Sequence, residues 1–232
     1  MVRKIMPTDV RDDYLAQLAA IDAFHQKGLI AFTSDADEST LTEHSLLATA
    51  VAWEGFVSDM FIAYINRDSA RFLTHMEQSF RQHLQGSGTP LRVFNNFGKL
   101  EMPSHLKKKE VMGLANSIGN NITFPNYSEL ESKAKTWLTA PHFAVFKDLL
   151  GPQKAVINLL ISLRNHIAHR SQRSFDAMNE SMLTQALYPT GLQRQANKIQ
   201  NVGAWLKSKP VGRQEIRLAI ILRELNVIGA RF

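Results

Sequence analysis

Between residues 163 and 171 the chain reads LRNHIAHRS, so Arg164, Asn165, His166, His169 and Arg170 fall within seven positions directly after the apolar run AVINLLISL. These residue types suit one kind of chemistry. An imidazole with an ordinary pKa near 6.5 can take or give a proton at neutral pH. A guanidinium is always charged and forked, which fits a phosphoryl group gaining negative charge in its transition state. Arg164 and His169 are of residue types that fit phosphoryl transfer. Read as a single helix from Pro152 to Gln172, the segment puts them about 140° apart around the axis and about 7.5 Å apart along it. They flank the buried stripe of Val156, Leu159, Leu160, Leu163 and Ile167 instead of stacking on one face. Asn165 and His169, four residues apart, do share a face. Asn165 is thus expected to orient the imidazole or to contact the substrate.

The elements that must position these groups read as helices almost throughout. Helical spacing of apolar residues runs from Asp9 to Phe32 and again from Glu43 to Asp68, where Ala50, Trp53, Val57, Phe61 and Tyr64 recur at intervals of three and four. TSDADEST between them reads as a loop ending in a cap, and a further helix is expected from Ser69 to about Gln85. GSGTP breaks the pattern, and residues 86–127 are expected to form an irregular insert or lid with a short helix from about His105 to Ile118. Helices follow over Ser128–Leu138 and His142–Leu150, then the motif helix opened by Gly-Pro. Three more are expected at Phe175–Leu187, Leu192–Leu206 and Gly212–Ile228. With no convincing strand period, the fold class is all-α.

On these residues, RNHIAH resembles the R-x4-6-H motif of the HEPN superfamily, with four intervening residues and a polar residue directly after the arginine. The Trp53-Glu54 pair on an early core helix is similar to one in HEPN proteins of the RiboL-PSP type. The resemblance spans about Thr42 to Leu187. It implies a HEPN-type helical bundle with an irregular insert and additional C-terminal helices. It also implies a metal-independent endoribonuclease without cofactors, acting as a homodimer with both motifs facing one cleft. In such enzymes the 2'-hydroxyl attacks the adjacent phosphorus and leaves a 2',3'-cyclic phosphate. Arg164 and His169 take the catalytic positions. Glu54 and His166 are candidates to support them, Glu54 by pairing with Arg164 across the core. The biology implied is that of a toxin or an antiphage or stress effector, with an antitoxin or regulatory protein as a further partner.

The domain expected is a HEPN-like unit over 1–190, with a basic helical extension over 191–232 packed on it. Of the net charge of +6, all resides after residue 190: eight Lys/Arg face two acids there, while the first 190 residues carry 19 of each sign. A basic segment suggests an anionic partner, and RNA is the natural one. Arg170, Arg173, Arg194, Lys198, Arg213 and Arg217 are the residues expected to hold it. The absence of cysteine removes disulfides, thiolate zinc sites and cysteine nucleophiles. His166 and His169 as a metal pair would need further ligands, and no acid lies close in sequence. No signal peptide and no membrane span is expected, which points to a cytoplasmic protein. A second reading remains open, a non-catalytic helical module that dimerises or binds RNA or protein. In that reading Arg164 binds the last carbonyls of its own helix, and His169 sits there as a favourable C-terminal cation.

Overall fold

The computed structural model describes residues 5–85, 101–115 and 122–232. Among these residues the chain forms α-helices and one 3-10 segment, with no strand. In chain order they are α1 (Pro7–Ala31), α2 (Asp35–Arg67), α3 (Ala70–Gln85), α4 (Lys108–Ala115), α5 (Tyr127–Trp137) and α6 (Ala140–Lys147). They continue with α7 (Gly151–His169), α8 (Gln172–Ser181), the 3-10 segment η1 (Gln185–Thr190), α9 (Val202–Lys207) and α10 (Arg217–Gly229).

The centre of the molecule is α2. Phe56, Val57, Met60, Phe61, Ala63, Tyr64 and Ile65 are all buried, so its second half is apolar around most of its circumference, as a helix enclosed by others must be. By length and composition this 33-residue helix could cross a membrane, but 67% of its most apolar window is buried within the bundle. Its N-terminus differs from expectation. The last six residues of TSDADEST, from Asp35, open α2, and the connection from α1 shrinks to Phe32–Ser34. Asp35, Asp37 and Glu38 lie in that first turn, where carboxylates favour the positive end of the helix dipole.

Helix α7 lays Val156, Leu159, Leu160 and Leu163, all fully buried, into the same core. The C-terminal segment closes that core. Leu218, Ile221 and Leu225 of α10 are buried, and the Phe232 ring meets Phe56 at 5.3 Å and Phe146 at 4.8 Å, both edge-on. The expected Leu192–Leu206 helix is largely absent, and only Val202–Lys207 is helical. Side chains bind the backbone of the preceding stretch instead. Asn179 accepts from the Ile199 amide at 2.8 Å and donates to the Ile199 carbonyl at 3.3 Å, and the Arg194 guanidinium binds the carbonyls of Asn179, Gln195 and Ala196.

The described parts of the expected insert pack on α2. Asn66 donates to the Leu106 carbonyl at 2.9 Å, the Ile122 amide donates to Ser58 Oγ at 3.1 Å, and Val111 is fully buried. Residues 86–100 and 116–121 of the insert lie outside the described residues, as does the expected end of its helix at Ile118.

Candidate active site

Helix α7 delivers the motif residues, and where it stops decides how they are presented. The expected extension to Gln172 does not form. His169 is the last helical residue, and Arg170 caps the helix in the left-handed region at φ 49°, the sole non-glycine residue with positive φ among those described. Such a conformation costs an L-residue roughly 1 kcal/mol and is usually given to glycine. Here it is held by an ion pair with Glu43 of α2. Ser171 then caps α8 by accepting from the Ser174 amide at 3.2 Å, so the two helices meet across two residues. Glu43 also accepts from the Gly203 amide at 3.1 Å, tying α2 to the start of α9. A Cβ at Gly203 would lie 2.4 Å from the Ser39 carbonyl oxygen, so only glycine allows this approach. Sequence reasoning missed Glu43. It lies 127 residues from Arg170 and has no local signature.

Arg164 and His169 face different ways, as their spacing requires. Arg164, 34% exposed at its side chain, turns toward α2, with Nη2 3.5 Å from Glu54 Oε1. The Trp-Glu pair thus places its acid beside the motif arginine, while Trp53 is buried against Tyr14 and Phe56. Asn165 does not orient the imidazole. Its Oδ1 accepts from Arg164 Nη1 at 3.0 Å, so it holds the arginine instead. Two of the three guanidinium nitrogens are thereby fixed, and Nε keeps its donor free of any protein partner among the described residues.

His169 is exposed and makes no hydrogen bond or ion pair among the described residues. With Asn165 and Arg173 it lines a groove of about 870 Å³ between α7 and α8, whose floor includes Asn158, Ser162 and Ser181. The two serines bridge the helices at 2.6 Å. Arg173 is also exposed and unpaired among the described residues, and it is the basic residue nearest in sequence to His169 that remains so.

His166 has a different role. It is buried, with Nδ1 3.3 Å from Ser174 Oγ and its ring 5.7 Å from that of Phe175. Burial, and then the neighbouring Arg170, lower its pKa below the ordinary histidine value. It pins α8 onto α7 and does not open on the groove. Among the described residues, no three His, Asp or Glu side chains gather as metal ligands would.

The remaining expected RNA contacts do not join this groove. Arg170 is paired with Glu43, and Lys198 is paired with Asp176 at 2.8 Å. Arg194, Arg213 and Arg217 lie together in a second cavity on the far side of η1.

The model of the RiboL-PSP-HEPN family matches residues 12–202. The chain belongs to the RiboL-PSP-HEPN family. The HEPN match begins within α1, runs through α7 and its R-x4-H motif, and reaches the start of α9. No curated protein and no solved structure matches the chain. HEPN membership suggests a ribonuclease-like function acting on RNA.

Proposed function

We propose that this HEPN protein is a metal-independent endoribonuclease in which Arg164 and His169 do the chemistry and Asn165 and Glu54 position the arginine. The observation that carries the reading is the contrast between the two groups. The guanidinium is held in place by Asn165 and Glu54 with one nitrogen free, while the imidazole stands exposed and unpaired at the end of the same helix. A preset cation and an unencumbered proton carrier are what phosphodiester cleavage by the 2'-hydroxyl needs.

One chain does not aim both groups at the same phosphate, because about 140° of helix separates them. A two-fold dimer resolves this by facing two motif helices across one cleft. One His169 takes the proton from the 2'-hydroxyl as O2' bonds to phosphorus. The other gives a proton to the departing 5'-oxygen as the P–O5' bond breaks. Arg164 offsets the charge that builds on the phosphoryl oxygens. The products are a 2',3'-cyclic phosphate and a 5'-hydroxyl, and the need for a 2'-hydroxyl restricts the reaction to RNA. The setting that fits is cytoplasmic RNA cut by a toxin or an antiphage or stress effector, restrained by an antitoxin or regulatory protein.

The test is cleavage of RNA in EDTA by the wild type, Arg164→Ala and His169→Ala, with sizing of the native particle by light scattering. Cyclic-phosphate ends from a wild-type dimer, lost in both variants, are expected. The Arg164–Glu54 pair also favours a second reading, in which the motif is structural and the chain is a binding module. Inert but dimeric wild type on total RNA would select that reading.

A further inference from the structure

The second cavity, about 690 Å³, lies between η1, the loop after it and the connection from α9 to α10. Arg194, Arg213 and Arg217 line it, together with Tyr188 and Trp205, and among the described residues no Asp or Glu does. None of the three guanidinium groups forms a salt bridge among the described residues, unlike Arg170, Lys198, Lys207 and Arg223.

Their hydrogen bonds go to neutral oxygens and leave donors over. Arg213 donates through Nη2 to the Pro189 carbonyl at 2.7 Å. Arg217 uses Nη1 on Trp205 and Ser208, stacks 5.1 Å above the Trp205 ring, and has a buried Nε with no partner among the described residues. Arg194 uses Nε and Nη1 on carbonyls. Each of the three keeps an Nη nitrogen unbonded among the described residues. Beside them Tyr188 stands 69% exposed, an aromatic face left in water at the rim of a cationic cavity. Three fixed positive forks suit phosphate oxygens, and an exposed tyrosine suits an unpaired base.

The cavity also adjoins the active-site groove. Ala186 of η1 lines the groove and Tyr188 lines the cavity, so two lining residues have Cα atoms no more than about 7 Å apart.

We propose that this cavity is a docking site for the sugar-phosphate backbone of single-stranded RNA, with a base stacked on Tyr188, outside the cutting site. The proposal rests on the ribonuclease reading for its substrate. A phosphate of the strand sits among Arg194, Arg213 and Arg217, and the site holds the RNA while the motif cuts it elsewhere.

The experiment is fluorescence anisotropy of a labelled single-stranded RNA of about twelve nucleotides, bound to His169→Ala so that the strand stays whole. Arg213→Ala and Tyr188→Ala are added singly. Both positions are exposed, so the bundle persists, and a melting curve checks it. The expected result is about tenfold weaker binding from Tyr188→Ala, and from Arg213→Ala a log–log salt slope shallower by about 0.7. Unchanged affinity and slope in both variants would overturn the proposal. So would adenosine monophosphate binding as tightly as the RNA, which would assign the cavity to a free nucleotide. Binding is read in a protein that does not cut, so an inactive wild type would sink the ribonuclease reading and leave this result standing.

Discussion

Glu54 of α2 and Arg164 of α7 stand 3.5 Å apart through a single Nη2–Oε1 contact, with both side chains partly open to solvent. A pair of this kind contributes about 0–1 kcal/mol to stability. Its significance is geometric: the contact fixes the direction of a guanidinium whose Nε stays free among the described residues. Glu54→Gln should therefore leave the melting temperature almost unchanged while lowering the RNA cleavage rate by roughly three- to tenfold. Thermal melts and single-turnover cleavage on the same preparation check this. Full activity in Glu54→Gln would remove the acid from the site.

Arg164→Lys should fail almost as badly as Arg164→Ala. A lysine carries the charge, but its three N–H donors radiate from one nitrogen, and it cannot reproduce the planar fork that holds Asn165 and Glu54 while also meeting a phosphoryl oxygen. The expected loss in kcat is about 100-fold, the scale for removing one transition-state donor. Asn165→Ala removes only the group that aims the guanidinium, and roughly tenfold is expected. A kcat for Arg164→Lys near that of wild type would show that charge alone suffices.

Acid should destabilise the fold through histidines that folding buries, as with His25 and His166, or half-buries, as with His75 and His142. His25, His75, His142 and His166 all have pKa values lowered first by burial. His25 is completely buried, bonded to Thr42 at 3.1 Å through Nε2 and unpartnered at Nδ1 among the described residues. A histidine with a lowered folded pKa binds fewer protons folded than unfolded. Stability is then full above the unfolded value of about 6.5 and declines as pH falls below it toward the folded value. The melting temperature should drop between about pH 7.5 and 5.5, and His166→Gln should make that drop shallower. A melting temperature flat across this range would contradict the burial of these imidazoles in their neutral form.

Local periodicity made the helices legible, above all α2 and α7, because a buried stripe repeats every three to four residues whatever it packs against. The motif pair and the acid beside Trp53 were legible too. What escaped sequence reading depends on partners far away in the chain. Asn165 lies four residues before His169, yet it bonds its neighbour Arg164, because Glu54 draws the guanidinium to that side. Residues 192–201 have helical composition, but Asn179 and Arg194 take their backbone groups first. TSDADEST reads as a loop, yet it coils because its acids suit a helix start and because Lys207, 172 residues on, binds Asp35. Arg194, Arg213 and Arg217 read as a basic stripe, and folding gathers them into one cavity.

The end of α7 should be the most sensitive point outside the core, and Gly203 tests it. A methyl group there would press on the Ser39 carbonyl oxygen at 2.4 Å and its carbon at 2.8 Å, and backbone of the central helix cannot move aside cheaply. Gly203→Ala should destabilise by about 1–3 kcal/mol, the usual cost of overpacking. It should also reach the active site. Lifting α9 from α2 removes the Gly203 amide from Glu43, the residue that holds Arg170 in its left-handed cap one position after His169. Arg170→Gly separates the two effects. It relieves the backbone strain by about 1 kcal/mol and gives up an ion pair of similar size, so its stability should match wild type. Chemical denaturation of the two variants reads the difference. Equal stability of Gly203→Ala and wild type would mean that the close approach of α9 to α2 does not hold in solution.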